Sequence, residues 1–500
     1  MNTTTDHSLG LMISLDPQNP DPLFRQMAMH FKRSIESLRL RPGQLLPSSR
    51  ELAEKLRVSR ATAVRCYEEL SCQGYIETID GVGTFVSRKD CSPPSRQASA
   101  SVKRMHLSSW AEDLLDRAQD KLFSHDWPEL NYGCAPAELL PVRQWRQLLL
   151  LHTREFKIAS LDYNQDPFGY MPLRRALAEY LGRSRSTRCS PEQVIVFPSS
   201  LFSLHLVSQM LIDRDDLVIM DEPGCPYARH TFLQAGATPV CIPVDRSGMV
   251  VSDIEKTARE LGARVPRIIY VNPSHQQPTG APLSIERRQE LLRYAADRST
   301  IIIEDDVDSD FCHASSSLPS LQGLSDCSNV IYIGNFWQTL YPVVNVGYLV
   351  IPDILIDKFT RAWHLLYHTF QTHLPALEQL ALTDLLDGGF LERHNRKSGR
   401  LYLSRWQAMV SAFTRHLRGI ATLAPEPSGM HMLVRFDQSN ADQVIRKSAL
   451  SANLPMLAST SFYMSRRPSG EFLVPFAFLD EQEIANKVSL FTAILQNQPG

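Results

Sequence analysis

Five short apolar runs rich in β-branched residues limit the possible folds of this chain more than any other feature. They are QVIVF (193–197), DLVIM (216–220), RIIYV (267–271), TIIIE (300–304) and VIYIG (330–334). Longer stretches with helical periodicity lie between them. Runs of this kind are typical of strands buried on both faces and joined by crossover helices. The sequence therefore predicts an α/β domain with a mainly parallel central sheet.

Length, charge and cysteine usage exclude several classes of protein. The 500 residues carry 52 Lys and Arg against 54 Asp and Glu, a net charge of −2, so any nucleic-acid surface must be local. The sequence contains no run of about 18 apolar residues, so it predicts no membrane span. The N-terminus lacks the basic segment and apolar core of a signal peptide. Nine scattered cysteines without metal-ligand spacing predict reduced thiols in the cytoplasm and no metal site.

The composition also divides the chain. Residues 21–89 hold 12 Lys and Arg against 8 Asp and Glu, a local charge of +4. Residues 91–104 are rich in Ser and Pro and show no apolar periodicity, which is typical of a linker. We therefore expect a small domain at 21–89, a linker at 90–125 and a large domain at 126–500.

The small domain has the pattern of three helices. Apolar residues recur every three or four positions from Leu23 to Leu38 and predict the first helix. Ser48 with Glu51 three residues later is a capping-box pattern, which predicts that a second helix begins there. Ser59 is a favourable N-cap for a third helix.

A hairpin follows the third helix. The segments YIETI (75–79) and TFV (84–86) flank the turn residues DGVG. Three helices and a hairpin make a winged helix-turn-helix, in which the third helix enters the major groove of DNA. Residues 43–86 resemble the DNA-binding domain of GntR-type regulators almost end to end. That resemblance implies double-stranded DNA as partner and the following contact residues: Ser49, Arg50, Ser59, Arg60, Thr62 and, at the wing, Gly83.

Six motifs mark the large domain, in one order along the chain. They are NYGCAPAELLPVRQW (131–145), YNQDPFGYMPLRRALAEYL (163–181), DEPGCPYAR (221–229), NPSHQQPTG (272–280), IIIEDDVDSDF (301–311) and IGNFWQTLYPVVNVGYLV (333–350). The series resembles the fold-type I aminotransferases. Its fusion to a GntR-type domain resembles the MocR regulators. The resemblance implies a homodimer and a pyridoxal phosphate site, which must be compared with this chain position by position.

The position of the Schiff-base lysine is Gln338, whose amide cannot condense with an aldehyde. No lysine lies between Lys256 and Lys358, so no shift in register supplies one. By the same resemblance, Asn345 stands at the position of the phosphate-binding arginine. The bulky Trp337 stands at that of a small hydroxyl residue.

Further positions of the implied site have also changed. Val307 and Cys225 replace tyrosines, and Leu473 replaces the arginine that binds the substrate carboxylate. Asp305 remains at the position that pairs with the pyridinium nitrogen, with His275 and Gln276 beside the ring. Asp305 could equally be a hydrogen-bonding residue at a strand end, and His275 a structural histidine.

The sequence therefore predicts a DNA-binding bacterial transcription regulator. Its aminotransferase-like domain forms a homodimer, carries no covalent cofactor and senses a small-molecule effector in the altered pocket. Two alternatives stay open. One is a regulator that binds pyridoxal phosphate noncovalently, which Asp305 permits. The other is a working aminotransferase, which is disfavoured because Gln338 cannot form the Schiff base.

Overall fold

A computed structural model describes most of the chain in two compact units, Met1–Glu112 and Asp113–Gly500. The described residues are 2–6, 11–16, 19–79, 81–87, 107–109, 112, 135–155, 166, 168–306, 311, 318–325, 329–367, 374–423, 429–437, 442–465 and 468–497. The expected linker at 90–125 lies almost entirely outside them.

Three helices and five short strands can be bounded within the described part of the first unit. These are β1 (Asn2–Asp6), β2 (Leu11–Leu15), α1 (Leu23–Glu36), β3 (Leu45–Leu46), α2 (Ser49–Leu56), α3 (Arg60–Cys72), β4 (Ile76–Ile79) and β5 (Gly83–Val86). The order β3-β5-β4 forms an antiparallel sheet, and β1 pairs with β2 in a hairpin that the sequence did not predict. Met27 and Phe31 of α1 are fully buried in the same core as Ala63 and Leu70 of α3.

One expected core residue is not in the core. Helix α1 ends at Glu36, and Leu38 adopts a left-handed backbone with φ of +58° and is 64% exposed. Leu40 occupies the core instead. The apolar periodicity predicted one more turn of helix, but the chain reverses direction before that turn forms.

The second unit begins with the elements of a large α/β domain. They are α4 (Val142–Glu155), α5 (Met171–Arg185), β6 (Val194–Phe197), α6 (Ser200–Leu211), β7 (Leu217–Glu222), α7 (Pro226–Gln234), β8 (Thr238–Asp245), β9 (Gly248–Met249), α8 (Ser252–Glu260), β10 (Ile268–Val271), α9 (Ile285–Arg298), β11 (Ile301–Asp305), α10 (Leu321–Leu324), β12 (Val330–Asn335), α11 (Trp337–Leu340) and β13 (Gly347–Val350).

The eight-stranded sheet has the order β6-β13-β12-β11-β10-β7-β8-β9. The pairs β12–β11, β11–β10, β10–β7 and β7–β8 are parallel, whereas β13 is antiparallel to both of its neighbours. All five apolar runs lie in this sheet, so the predicted mainly parallel α/β architecture is confirmed. Buried side chains of α6, α7 and α12 cover one face, and those of α5, α8 and α9 contribute to the clusters on the other.

A smaller α/β layer completes the second unit. Its elements are α12 (Asp353–Tyr367), α13 (Ala376–Asp387), α14 (Phe390–His416), β14 (Ala421–Leu423), β15 (His431–Phe436), α15 (Asp442–Ser451), β16 (Leu457–Ala458), β17 (Glu471–Pro475) and α16 (Glu481–Gln496). The strands form an antiparallel sheet in the order β14-β15-β17-β16. Its core includes Phe472, Val474 and Phe491.

Candidate functional site

The start of α3 is fixed by local hydrogen bonds. The hydroxyl of Ser59 accepts a hydrogen bond from the backbone nitrogen of Thr62 at 3.1 Å, and the two hydroxyls lie 2.8 Å apart. Helix α2 begins with the complete capping box of Ser48 and Glu51. Both predicted caps are therefore confirmed. The hydroxyl of Ser59 holds the first turn of α3, which sets the direction of the exposed side chain of Arg60.

The predicted DNA-contact residues lie on α2, on α3 and in the wing of the first unit. Arg50, Ser59 and Arg60 are exposed, and Ser49 and Thr62 are half-buried. Arg65, farther along α3, lies over the ring of Phe24 at 4.9 Å. Gly83 pairs with Ile79 at the end of the hairpin, and its φ of +142° is one that favours glycine.

In the second unit, the predicted pocket residues gather at one edge of the large sheet. The parallel strands β7, β10, β11 and β12 end there, and the antiparallel β13 begins there. Ligands in open α/β sheets bind at this edge, outside the carboxyl ends of the strands. Cys225, Asp305, Gln338 and Asn345 all lie in or directly after these strand ends, or just before β13.

The edge is closely packed around Gly347. A Cβ atom at this position would lie 2.4 Å from the backbone nitrogen of Ser200. Helix α6 therefore begins directly against β13, and a larger residue at Gly347 would displace it. Ser199 caps α6 by accepting a hydrogen bond from the nitrogen of Phe202 at 3.3 Å. The Nδ2 atom of Asn335 donates to the hydroxyl of Ser200 at 3.4 Å.

Asp305 is the centre of a buried polar group. The hydroxyl of Tyr270 donates to its Oδ2, and Nδ2 of Asn272 donates to its backbone oxygen at 3.0 Å. Its Oδ1 is buried and has no hydrogen-bond partner among the described residues, and the same holds for Oδ1 of Asn272. Asn272 is 2% exposed. Two buried acceptors thus lie side by side at the ends of β10 and β11.

Burial, more than charge, governs the acidity of this group. Burial, with a smaller contribution from the negative charge of Asp306, raises the pKa of Asp305 to about 6, although side-chain hydrogen bonds with Tyr270 and Asn272 oppose the rise. Burial also raises the pKa of Cys225 to about 11, with a smaller contribution from the negative charge of Asp305. The described groups that act on Asp305 include no cation.

The carboxylates of the two acids that flank Asp305 in sequence both accept hydrogen bonds. Glu304 accepts hydrogen bonds from the backbone nitrogens of Leu321 and Gln322 at 2.8 and 2.9 Å. Asp306 accepts from Arg185 at 2.8 Å and from the hydroxyl of Tyr332. Of these three consecutive acids, Asp305 alone lacks both a cation and a pair of backbone donors within the described structure.

His275 and Gln276 are engaged in structural contacts. The Nε2 of Gln276 donates to the carbonyl oxygen of Pro223 at 2.6 Å, and its Oε1 accepts from the hydroxyl of Thr279 at 2.5 Å. The ring of His275 packs edge-on against His431 with centroids 5.4 Å apart. Burial lowers the pKa of His431 to about 4. The structure thus places the two predicted ring neighbours in the loop between β10 and α9, where His275 contacts His431 of the smaller sheet.

The β12–β13 connection carries Gln338. Helix α11 is one turn long, and Gln338 in it is half-buried. The neighbouring Trp337 stacks on Tyr341 with centroids 3.6 Å apart and an angle of 15° between the planes. Asn345 lies two residues before β13 and is half-buried. Val307 lies outside the described residues.

Leu473 occupies an apolar environment. It lies in β17, is fully buried, and packs with Leu433, Phe462 and Tyr463. The backbone oxygen of Phe462 accepts a hydrogen bond from the nitrogen of Gly224 at 2.8 Å, next to Cys225. This cluster therefore adjoins the carboxyl edge of the large sheet. It supplies no positive charge for a carboxylate.

These residues do not fit bound pyridoxal phosphate as a covalent or phosphate-anchored group. Gln338 has no amine, Asn345 has no charge, and a large stacked ring takes the place of a small hydroxyl residue at Trp337. A buried phosphate needs cations or many donors. The part of the site that remains suitable is the pair of acceptors at Asp305 and Asn272, which could accept hydrogen bonds from a protonated ring nitrogen or another donor.

Sequence reasoning missed Tyr270 and Asn272. Both could have been found from position, because residues at the ends of adjacent parallel strands meet at one edge. His431 could not have been found that way, since its contact with His275 joins segments 156 positions apart.

Among the described residues, no cluster of three or more His, Cys, Asp or Glu is arranged to hold a metal ion. Nor do they include a helix long and apolar enough to cross a membrane.

Two family models match this chain. Residues 23–86 match the gntR family of bacterial regulatory proteins, and residues 154–489 match the aminotransferase class I and II family. These ranges agree with the two units of the structure.

Curated relatives match along nearly the whole chain. A probable rhizopine catabolism regulatory protein, MocR, from Rhizobium meliloti is 31% identical over 97% of this chain and 96% of its own length. The pyridoxine biosynthesis transcriptional regulator PdxR from Corynebacterium glutamicum is 28% identical over 96% and 99%.

Solved structures match the second unit. The α-aminoadipate aminotransferase from Thermus thermophilus is 25% identical with a TM-score of 0.67, over 78% of this chain and 98% of that one. An archaeal alanine:glyoxylate aminotransferase gives a TM-score of 0.68 at 21% identity, over 78% and 96%. With both domains matched in order, the chain belongs to the gntR family of bacterial regulatory proteins, as a MocR-like transcription regulator that joins a helix-turn-helix domain to an aminotransferase-like domain.

Proposed function

We propose that residues 21–89 recognise a specific double-stranded DNA site through α3 and the wing. The observation that carries this proposal is the exposed Arg60 at the capped start of α3. Arginine offers paired donors to guanine or phosphate. The hydroxyls of Ser49, Ser59 and Thr62 lie at the starts of α2 and α3, where they could reach phosphates. Arg50 and Gly83 complete the contact set. Residues 90–125 connect this domain to the effector domain at 126–500.

The aminotransferase-like domain, in this proposal, catalyses no transamination. Gln338 cannot form the covalent link to the cofactor, and no neighbouring lysine replaces it. The pocket that contains Asp305, Cys225, Val307, Asn345 and Gln338 binds an effector instead, with His275 and Gln276 supporting its wall. Noncovalent pyridoxal phosphate is the second candidate, because the acceptor oxygen of Asp305 would suit a protonated ring nitrogen.

The effector domain also forms a homodimer in this proposal. Several large apolar side chains of the second unit are exposed in the single chain. They include Val142, Leu150 and Leu151 of α4, Leu201 of α6, Tyr227 of α7, and Ile354 and Leu365 of α12. A second copy would cover such surface, and a two-fold dimer would favour two operator half-sites. As a regulator of bacterial genes, the protein would act in the cytoplasm.

The test of the DNA function uses the full chain and a duplex from its own promoter. Fluorescence anisotropy should show binding that weakens as salt rises, because lysines and arginines displace counterions from phosphates. A scrambled duplex of equal length is the control. Equal affinity for the two duplexes would contradict specific recognition.

The assembly is tested separately by light scattering. We expect the mass of two chains at micromolar concentration. The double variant Leu150→Glu and Leu151→Glu should shift the mass toward one chain if α4 contributes to the interface, whereas Leu490→Glu, at an exposed position of α16, is the matched control. A wild-type mass of one chain would overturn the dimer.

A further inference from the structure

The pocket at the carboxyl edge of the large sheet has an excess of unpaired acceptors. Oδ1 of Asp305 and Oδ1 of Asn272 are both buried and lack hydrogen-bond partners among the described residues. Leaving a buried acceptor without a hydrogen-bond donor is energetically unfavourable. Asn272 donates its Nδ2 to the backbone oxygen of Asp305, so its side-chain oxygen is held beside that residue. Two adjacent acceptors of this kind are suited to a ligand that donates hydrogen bonds.

No cation is among the described groups that act on Asp305. From the neighbouring β10 it meets Tyr270 and Asn272, from the start of α7 Cys225, and from its own strand end Asp306. Two arginines, one on α7 and one on α9, donate to backbone oxygens. Arg229 donates to the backbone oxygen of Ser461 at 2.9 Å. Arg288 donates to the backbone oxygens of Pro273, Leu283 and Pro319 at 2.6 to 2.9 Å.

Within the described part of this region, the positions that the resemblance assigns to anion binding carry no positive charge. Asn345 and Gln338 on the β12–β13 connection are uncharged. Leu473 is fully buried among Leu433, Phe462 and Tyr463, so the neighbouring wall is apolar. Burying a phosphate or a carboxylate against such a surface is strongly unfavourable without a cation. The charge balance of the pocket is therefore opposite to that needed for an anionic ligand.

We propose that the effector is a small organic molecule with a protonated nitrogen, in an amine or a ring, and with neither a phosphate nor a carboxylate group. This inference rests on the proposed role of the domain as an effector domain. The nitrogen would donate to Asp305 and Asn272, and its positive charge would neutralise the Asp305 carboxylate. The apolar remainder would lie toward the Leu473 cluster.

Two pairs of probes test this ligand class on the full chain by isothermal titration calorimetry. Benzylamine and benzoate share a ring and carry opposite charges. Pyridoxine and pyridoxine 5′-phosphate differ only in the phosphate. We expect the first member of each pair to bind at least about tenfold more tightly than the second, a difference of about 1.4 kcal/mol. Tighter binding of the anionic member in both pairs would overturn the proposal, as would no binding of benzylamine and pyridoxine up to about 10 mM.

A variant identifies the acceptor. Asp305→Asn should weaken benzylamine binding at least about tenfold, because the charge-assisted hydrogen bond is lost. The control is Asp297→Asn, the same change at an exposed position of α9. A melting temperature of Asp305→Asn at or above that of the wild type shows that the variant is folded. Unchanged benzylamine affinity in Asp305→Asn would assign the binding elsewhere and overturn the inference.

The two proposals fail separately. Promoter binding by the wild type depends on the first unit and is measured without any probe. If the protein binds its promoter but prefers benzoate and the phosphate ester, the regulator assignment stands and the ligand class is wrong. If it does not bind its promoter, the proposed DNA function is wrong whatever the probes do.

Discussion

The DNA-binding unit and the sheet-edge pocket keep different parts of their family patterns. In the first unit, the capped helices and the exposed arginines expected to contact DNA are both present, since the caps at Ser48 and Ser59 begin the helices that carry these arginines. In the pocket, the scaffold is present but the charged chemistry has changed. Gly347 admits the start of α6, and Asp305 lies at its strand end, while Gln338 and Asn345 stand where the resemblance predicts a lysine and an arginine.

This difference shows that fold and chemistry depend on separable residues. The close approach at Gly347 and the strand pairing of β11 with β10 stabilise the sheet whatever the pocket binds. That packing forms with the uncharged residues Gln338 and Asn345, so it needs no charge at either position. The aminotransferase-like fold of this domain therefore does not depend on a positive charge at position 338 or 345.

Restoring the lost chemistry tests the comparison most strongly. The wild type should retain no covalently bound pyridoxal phosphate. The triple variant Gln338→Lys, Asn345→Arg and Trp337→Ser should gain it, because amine, positive charge and space are supplied together. An absorbance band near about 420 nm and cofactor mass retained after borohydride reduction measure the gain.

The single variant Gln338→Lys is the matched control for the triple variant. It should bind the cofactor only weakly, since Asn345 and the stacked ring of Trp337 remain. Wild-type protein that holds the cofactor on one specific lysine would show that the pocket has kept its chemistry.

Removing one arginine from the intact region should have the next largest effect. Arg60→Ala should weaken promoter binding by roughly 1–3 kcal/mol if Arg60 reads a base. Arg33→Ala, an exposed position on α1, is the control and should change the affinity much less. Anisotropy titrations at one salt concentration make the measurement. If Arg60→Ala binds as tightly as the wild type, α3 is not the recognition helix.

Asp305, which has no cationic partner among the described residues, should lower stability at neutral pH. Burial raises the pKa of Asp305 from 3.8 to about 6, so the folded protein keeps a proton that the unfolded chain releases. Stability from this group is therefore present at low pH and lost as pH rises through about 4 to 6. At pH 7.5, Asp305→Asn should be more stable by on the order of 1–3 kcal/mol.

Urea unfolding followed by tryptophan fluorescence measures this gain, because all six tryptophans lie at or after residue 110. The advantage of Asp305→Asn should shrink at pH 4.5, while Asp297→Asn should match the wild type at both values. A less stable Asp305→Asn at pH 7.5 would mean that the carboxylate has a partner within the folded protein.

The smallest expected effect separates capping from DNA contact. Ser59→Ala removes the acceptor for the nitrogen of Thr62 and should destabilise the start of α3 by about 1 kcal/mol. Hydrogen exchange of residues 58–66 should speed up accordingly without DNA. Ser71→Ala, an exposed position near the end of α3, is the control. If the hydrogen-exchange rates of these residues are unchanged in Ser59→Ala, Ser59 does not stabilise the helix start and its role is limited to contact with DNA.

Much of the fold follows from local sequence patterns. The five apolar runs became β6, β7, β10, β11 and β12 because β-branched residues suit a sheet covered on both faces. The capping pairs marked the helix starts for a similarly local reason. Leu38 shows the limit of such reasoning, because periodicity could not reveal that the chain turns after Glu36.

The sequence by itself determined the chemistry of two side chains, since a glutamine at position 338 and an asparagine at 345 have no amine and no positive charge in any fold. Only the tertiary structure decided which groups share the pocket. It placed Asn272 beside Asp305, paired His275 with His431, and left two acceptor oxygens without described partners. Burial and hydrogen bonding between segments far apart in the chain are properties of the packed molecule, and no local pattern encodes them.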